Sequence, residues 1–224
     1  MILPFEHICY LHTIDQVVRM QQFLQNREDV GIENKVDIRH TSRMKISDKL
    51  ETIIPTLRTA YYDGFKEYDP YIYNKVYNCA IAHYDCIKVM CTAGFDNILI
   101  LEDDACFINN AELIEQTLDQ LPTDYELIKL YASFYKYPED NKPGFHHPPV
   151  NPLENDWICS TCAYVLSNAG MKRALSVYEN IGIMPSDMIF QHFTDNSKVW
   201  MTNHKLVEPQ GGSIIVPGQT LNLH

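Results

Sequence analysis

The chain has 224 residues, of which 46% are hydrophobic and 21% charged, a composition typical of one globular domain with a full core. Its formal net charge of -11 argues against non-specific binding of nucleic acid, because such binding needs a basic surface. That charge does not exclude anionic ligands, since a bound divalent cation can reverse the local field.

The sequence gives no sign of a membrane span or a secretion signal. No apolar run reaches the roughly 18 residues that cross a bilayer, and Glu6 and His7 interrupt the apolar stretch of the N-terminus. The seven cysteines lack the spacing of a disulfide framework, so we expect reduced thiols. We therefore expect a cytoplasmic protein without a transmembrane segment, and association with a membrane surface stays open.

Strand and helix patterns alternate along the chain. Strands are predicted at residues 5–11, 35–40, 97–102, 125–132 and 162–167. Helices are predicted at residues 14–26, 73–93, 110–121 and 168–180, and from residue 185 onward. Gly94 is expected to end the second helix, and Asn109 or Asn110 to cap the third. The alternation predicts a single α/β domain, residues 1–224, with a central, mostly parallel sheet flanked by helices.

Residues 98–110, ILILEDDACFINN, place Glu102, Asp103 and Asp104 directly after a buried strand. Adjacent carboxylates repel one another and need a counter-charge, and ligands of α/β sheets bind at the carboxyl ends of strands. Mg²⁺ and Mn²⁺ prefer such oxygen ligands. The triplet is therefore a candidate metal site, with an acidic turn that binds nothing as the alternative.

Other polar residues are weaker candidates. Asp187, in the first turn of the last predicted helix, could act as a general base, or be a first-turn acid without a role. His83 lies on the apolar face of its helix, where histidines are more often core residues than ligands. Further possible ligands are His146, His147, His192 and His204.

Two common kinds of site are disfavoured. Cys159 and Cys162 form a single CxxC pair without the second pair of a zinc finger. Neither GxGxxG nor GxxxxGK[ST] occurs, so the sequence lacks the usual motifs of a dinucleotide-binding site and of a P-loop. Five prolines predict an irregular loop at residues 136–156, and a loop of that length is usually functional or disordered.

Three stretches together resemble glycosyltransferase family 25, which includes lipooligosaccharide and collagen galactosyltransferases. Residues 78–107, NCAIAHYDCIKVMCTAGFDNILILEDDACF, are similar to the family's Gly-Cys-x-x-Ser-His helix, strand and Glu-Asp-Asp motif. Residues 160–175, STCAYVLSNAGMKRAL, and 184–190, MPSDMIF, resemble its small-residue strand with the following helix and its Pro-x-Asp element. Asn78 and Ala82 depart from the family's usual Gly and Ser.

The resemblance implies a GT-A-like fold and a metal-dependent, inverting hexosyltransferase. The implied donor is a nucleotide-diphosphate sugar, with a galactose-like UDP-sugar expected, and the implied acceptor is a glycan, a lipid-linked saccharide or another hydroxyl compound. Mn²⁺ or Mg²⁺ is the implied cofactor. Asp104 is the expected direct metal ligand, with Glu102 beside it and His204 as an additional ligand, and Asp187 is the expected base.

The same resemblance implies which residues bind the donor. Glu102 and Asp103 are expected to contact the nucleotide sugar, with His83 and Arg19 as further pocket residues. The 136–156 loop is a candidate lid that closes over the donor and excludes water.

Two other functions use the same residues. A nucleotidyltransferase would employ the carboxylates of the triplet on a nucleoside triphosphate. An inactive sugar-binding homologue would keep the fold without turnover. The two differ in their response to Asp104→Asn, because only an enzyme should lose activity while staying folded.

Overall fold

A computed structural model describes residues 1–13, 15–41, 70–133, 135–138, 142–149 and 160–210. Its strands are β1 (His7–Thr13), β2 (Val36–Thr41), β3 (Asn97–Glu102), β4 (Ala105–Phe107), β5 (Leu127–Lys129), β6 (Phe145–His146), β7 (Ala163–Ser167), β8 (Val199–Thr202) and β9 (Val207–Pro209). Its α-helices are α1 (Val17–Asp29), α2 (Pro70–Ala93), α3 (Ala111–Leu118) and α4 (Asn168–Asn180). Two 3-10 helices cover Ser186–His192 and Asn196–Lys198.

Within these residues, seven strands form a central sheet in the order β2-β1-β3-β7-β5-β8-β6. β1 is parallel to both β2 and β3, and β5 is parallel to β8. β7 is antiparallel to β3 and β5, and β6 is antiparallel to β8. Five of these seven strands (β1, β2, β3, β5 and β8) therefore run in one direction. The predicted α/β class with a mostly parallel sheet is confirmed.

Helices cover both faces of the sheet, and β3 shows how the layers are divided. Ile98 and Ile100 are buried in a core cluster that includes residues of α2 and α4. Leu99 and Leu101 are buried in a second cluster that includes residues of α1 and α3. This alternation is the period of two expected for a strand buried on both sides. The strand is apolar as far as Glu102, where the polar site begins.

Local signals placed several helix ends correctly. Gly94 has φ +83° and follows the last residue of α2, as predicted. The Asn110 side chain accepts a hydrogen bond from Leu113 N–H at 3.1 Å and caps α3. α4 has the bounds predicted from the sequence, and its cap is the Ser167 hydroxyl, which accepts from Gly170 N–H at 3.1 Å.

One prediction about local structure is wrong. The 136–156 segment was expected to lack regular structure, but Phe145–His146 forms β6 and pairs with β8. These two residues lie between the prolines of the segment and keep their backbone donors free for pairing. The helix predicted from residue 185 onward is confirmed as the 3-10 helix Ser186–His192, with Met188 N–H bonded to the Pro185 carbonyl at 2.9 Å.

Several predictions fall partly on residues outside the description. Residues 139–141 and 150–156 of the expected lid lie outside it, as does Cys159 of the CxxC pair. The single-domain assignment of residues 1–224 likewise stays a prediction. Among the described residues, no helix is both long and apolar enough to cross a membrane.

Candidate active site

The acidic triplet lies where β3 ends, at the carboxyl edge shared with β1. Glu102 is the last residue of β3 and pairs with Leu11 of β1, and its N–H donates to the Cys162 carbonyl at 2.9 Å. Asp103 and Asp104 follow in a turn before β4. The triplet therefore occupies the edge at which α/β sheets bind ligands.

One oxygen of Glu102 is contacted by three side chains from two parts of the chain. His83 Nε2, on α2, lies 3.0 Å from Glu102 Oε1, and the Cys79 thiol on the same helix donates from 3.5 Å. The Thr161 hydroxyl, just before β7, donates to the same oxygen. Ser186 completes the group, with its Oγ 2.8 Å from Thr161 Oγ1 and 3.5 Å from Cys79 Sγ. These contacts fix the orientation of the carboxylate.

The same contacts decide the charges in the group. Burial opposes ionisation of Glu102, but the hydrogen bond and charge of His83, with the bonds from Thr161 and Cys79, outweigh it and lower the pKa of Glu102. Burial, followed by the charge of Glu102, raises the pKa of Cys79 well above its ordinary value. At neutral pH the carboxylate is therefore ionised and the thiol is protonated.

His83 is buried, with 1% of its surface exposed, and bridges Glu102 to the core. Its Nδ1 lies 2.7 Å from the Tyr164 hydroxyl, and the two rings are stacked with centroids 5.6 Å apart. Both ring nitrogens are thus engaged by protein groups. The residue has the burial of a core histidine, but it contacts the acidic triplet directly.

Asp103 is held by the N-terminal part of the chain. Its Oδ1 lies 2.8 Å from Arg19 Nη1 of α1, and its Oδ2 accepts from Thr13 N–H at 3.3 Å. The Tyr10 hydroxyl donates to its main-chain carbonyl at 2.8 Å. Both side chains of the ion pair are 15% exposed. Arg19, predicted as a pocket residue, is therefore brought to the triplet as the counter-charge of Asp103.

Asp104 is compensated less than its two neighbours. Its Oδ1 is buried and has no hydrogen-bond partner. Burial and repulsion from Glu102 raise the pKa of Asp104 to about 7. Arg19 lowers this pKa in part, and repulsion from Asp103 raises it again. An added positive charge beside this carboxylate would lower that pKa. The Asp104 side chain is therefore suited to bind a cation.

Two sets of residues could hold a metal ion. The ligand atoms of Cys79, His83 and Glu102 all lie within 4.8 Å of one another. Glu102 Oε1 already accepts hydrogen bonds from both other members, however, and a metal would have to displace those donors and the thiol proton. Asp104 Oδ1 has no bond to lose. The oxygen ligands at Asp104 and Glu102 therefore fit a hard divalent cation better than the thiol-containing group does.

Asp187 lies beside the Glu102 group. It is the second residue of the 3-10 helix Ser186–His192 and is partly exposed. Ser186, immediately before it, is hydrogen-bonded to Thr161. The charge of Asp187 adds to burial and to Glu102 in raising the pKa of Cys79. The structure therefore brings the predicted base to the acidic triplet.

The remaining histidines lie elsewhere. His204 Nε2 donates to the Lys142 carbonyl at 2.7 Å, and His204 is not in the three-residue group at Glu102. His192 has a buried Nε2 without a partner, and burial lowers its pKa. The other two bond to their neighbours, His146 Nδ1 to Asn203 Oδ1 at 2.8 Å and His147 Nδ1 to Val199 O at 2.9 Å.

Several residues of the site were not predicted from the sequence. Cys79 gave a signal, because it stands four residues before His83 on the same helical face. Thr161 and Ser186 gave none, since isolated hydroxyl residues are common in loops. Their importance appears only when α2, the start of β7 and the 3-10 helix are brought together.

Residues 75–190, just over half of the chain, match the family model described as glycosyltransferase family 25 (LPS biosynthesis protein). The match contains the acidic triplet, both helix residues of the Glu102 group and Asp187. This chain belongs to glycosyltransferase family 25. It is therefore a glycosyltransferase, and its mostly parallel α/β sheet is the architecture that the sequence predicted.

Solved glycosyltransferases resemble the chain weakly. Galactosyltransferase LgtC in complex with donor and acceptor sugar analogs is 10% identical, with a TM-score of 0.45 over 87% of this chain and 72% of LgtC. A mutant Drosophila β-1,4-galactosyltransferase 7, in complex with manganese, UDP-Gal and xylobiose, is 10% identical, with a TM-score of 0.42 over 92% and 71%. Mouse xyloside xylosyltransferase 1, in its apo form, is 10% identical, with a TM-score of 0.37 over 86% and 81%. No curated protein sequence matches the chain, so the family assignment rests on the family model.

Proposed function

We propose that this glycosyltransferase moves a galactose-like hexose from a UDP-sugar to a hydroxyl of a glycan or lipid-linked saccharide, with the help of a divalent cation and with inversion at the anomeric carbon. The observation that carries the proposal is Asp104 Oδ1, which is buried without a partner and repelled by two other carboxylates. Such a charge cluster is stable only with a counter-ion or with protonation.

Asp104 would hold the cation, Mn²⁺ or Mg²⁺, with Glu102 beside it. When bound, such an ion supplies Lewis-acid stabilisation of the leaving diphosphate. His204 remains a predicted further ligand, and its Nε2 would first have to leave the Lys142 carbonyl. Membership of a glycosyltransferase family supports this assignment of the acidic triplet.

The donor would be oriented by the residues around the triplet. Asp103, held by Arg19, is proposed to accept hydrogen bonds from the donor's ribose or sugar hydroxyls. Arg19 keeps this site from accumulating negative charge as the diphosphate approaches. His83 is too buried to reach the donor directly, so we assign it to the orientation of Glu102.

Asp187 would act as the base. Its carboxylate accepts the proton of the acceptor hydroxyl as that oxygen bonds to the anomeric carbon, and the bond from that carbon to the diphosphate oxygen breaks. Inversion requires the base and the leaving group on opposite faces of the sugar. The position of Asp187 beside the Glu102 group supports this role.

Thermal unfolding tests the proposal with UDP, GDP and CMP, each with and without Mn²⁺. A ligand at 100 times its Kd adds about 2.7 kcal/mol to the stability of the native state. We expect a Mn²⁺-dependent rise in Tm with UDP that Asp104→Asn abolishes, together with a loss of transfer of about 100-fold.

The matched control is Asp119→Asn, at the exposed C-terminal end of α3, which removes the same charge away from the triplet. It should keep both the shift and the activity. A UDP shift that is independent of Mn²⁺, or one that persists in a folded Asp104→Asn variant, would contradict the proposed cation site.

A further inference from the structure

Lys129 is a fully buried ammonium at the site edge of the sheet. It is the last residue of β5, its exposure is 0%, and β5 runs in the same direction as β3. Its Nζ donates to the Ser160 carbonyl at 2.5 Å and lies 4.3 Å from the centroid of the Phe190 ring. Burial of an ammonium is costly, so its neighbours must compensate for the lost water.

The first of these contacts holds an unusual backbone conformation. Ser160 has φ +78°. In the described part of the chain, it is the only residue with a positive φ that is not a glycine. Such a conformation persists only where the surroundings hold it. The Ser160 hydroxyl accepts from Cys162 N–H at 3.1 Å, and Lys129 binds the Ser160 carbonyl. Thr161 lies in sequence between Ser160 and Cys162, and its hydroxyl donates to Glu102.

The second contact reaches the other side of the site. Phe190 belongs to the 3-10 helix that begins at Ser186 and carries Asp187. The ring also packs edge-to-face against Tyr164, with centroids 5.1 Å apart, and the Tyr164 hydroxyl contacts His83. One ammonium thus contacts both the turn that carries Thr161 and the helix that carries Asp187.

We propose that Lys129 is a positioning residue of the transfer site. Its ammonium fixes the Ser160–Thr161 turn against the 3-10 helix, and through Thr161 it sets the orientation of the Glu102 carboxylate. Because it is buried, it acts on the reaction without touching donor or acceptor. This inference rests on the proposed function for its effect on turnover, but not for its effect on the turn.

The test compares Lys129→Met, which keeps the length and removes the charge, with Lys129→Arg, which restores a cationic donor. Lys172→Met, on the exposed surface of α4, is the matched control. We expect Lys129→Met to lower kcat by about 100-fold, because small displacements of reacting groups have effects of that size. The donor KM should stay within about threefold, and Lys129→Arg should recover part of kcat.

Hydrogen exchange measures the turn without any turnover. In Lys129→Met the amides of residues 160–163 should exchange about tenfold faster, with β1 and β3 unchanged, since only the local hold is lost. Lys172→Met should match the wild type in both measurements. If Lys129→Met does not fold, Lys129→Gln, which is neutral but keeps a donor, takes its place with the same expectations.

Two failures can be told apart. A wild-type protein that transfers no sugar would contradict the proposed function. Hydrogen exchange at residues 160–163 would still test whether Lys129 stabilises the Ser160–Thr161 turn. An active wild type with unchanged exchange in the folded Met or Gln variant overturns the positioning role. Wild-type kcat in that variant overturns it as well.

Discussion

The three carboxylates of the triplet are adjacent in sequence but have three different environments. Glu102 is surrounded by donors, Asp103 is paired with Arg19, and Asp104 has a buried oxygen without a partner. The donors around Glu102 outweigh its burial and lower its pKa, and Arg19 places an opposite charge beside Asp103. The third lies against the other two carboxylates, and Arg19 only partly offsets their repulsion and its burial. Three neighbouring carboxylates of one acidic run can thus have different partners and different charge environments.

Among the hydroxyl groups of the site, that of Thr161 should contribute most to the stability of the fold. Thr161→Val removes a buried donor from the ionised Glu102 and from Ser186, which should lower the free energy of unfolding by about 2 kcal/mol. Thr161→Ser keeps the hydroxyl and should cost less than half as much. Urea unfolding at neutral pH measures both changes. A loss in Thr161→Ser as large as that in Thr161→Val would contradict the dominant role of the hydroxyl, because serine keeps the hydroxyl and lacks only the methyl group.

His192 should make stability depend on pH. Burial lowers its pKa from the ordinary value of 6.5, so below that value the unfolded chain binds a proton that the folded chain does not. Its contribution is complete above pH 6.5 and is lost as the pH falls through the folded-state pKa. We expect His192→Gln to lose less stability than the wild type between about pH 7.5 and about pH 5.5.

Urea unfolding at both pH values gives that comparison. Gln191→Asn, at the exposed neighbouring position of the same 3-10 helix, leaves His192 in place and should follow the wild type. A His192→Gln variant with the wild-type pH dependence would show that the unfolded and folded chains bind the proton equally.

At the scale of elements, α4 is fixed by a very close approach. A Cβ built at Gly170, in the first turn of α4, would lie 1.9 Å from the Glu126 carbonyl oxygen. That carbonyl accepts from Ser167 N–H at 3.2 Å, and the Glu126 side chain pairs with Arg173 of the same helix. α4 therefore rests directly on the chain that enters β5.

Gly170→Ala should be strongly destabilising, because the backbone of Glu126 would have to move. We expect a loss of about 3 kcal/mol or more in the free energy of unfolding, measured by urea denaturation. Ala169→Ser adds one atom at the exposed neighbouring position and should change stability by less than about 0.5 kcal/mol. Similar losses in both variants would contradict the close approach.

Elements with strong periodic or capping signals could be predicted from the sequence. α2, β3 and α4 were predicted within a few residues because each combines a clear apolar period with a defined end. β4, β8 and β9 have only three or four residues each, and their pairing partners are distant in sequence, so no local pattern marks them. The site shows the same division: the acidic run is local, but the Glu102 donors are assembled by tertiary structure.

At the scale of the molecule, the site needs the N-terminal part of the chain as well as the matched range. The family match begins at residue 75, yet Asp103 is held by Arg19, Thr13 and Tyr10. The N-terminal β1-α1 unit therefore belongs to the site although it lies outside the matched range. The described part of the 136–156 segment is tied to β8, through the pairing of Phe145–His146.

The 136–156 segment is predicted to close over the donor. We expect limited proteolysis to cut it more slowly when UDP and Mn²⁺ are present, because closure on the ligand excludes solvent and protease. Asp104→Asn should remove this protection, and Asp119→Asn should keep it. Equal cutting with and without the nucleotide would count against a lid.

The position of β3 between β1 and β7 has a consequence for biosynthesis. During synthesis, His83 and β1 emerge from the ribosome before Glu102, but Thr161 and Ser186 follow much later. Chains fold from the N-terminus as they are made, so an early intermediate would expose the β7-facing edge of β3 with its carboxylate only partly paired. We expect a nascent chain arrested before β7 to depend on chaperones, and one released after the 3-10 helix to be independent of them.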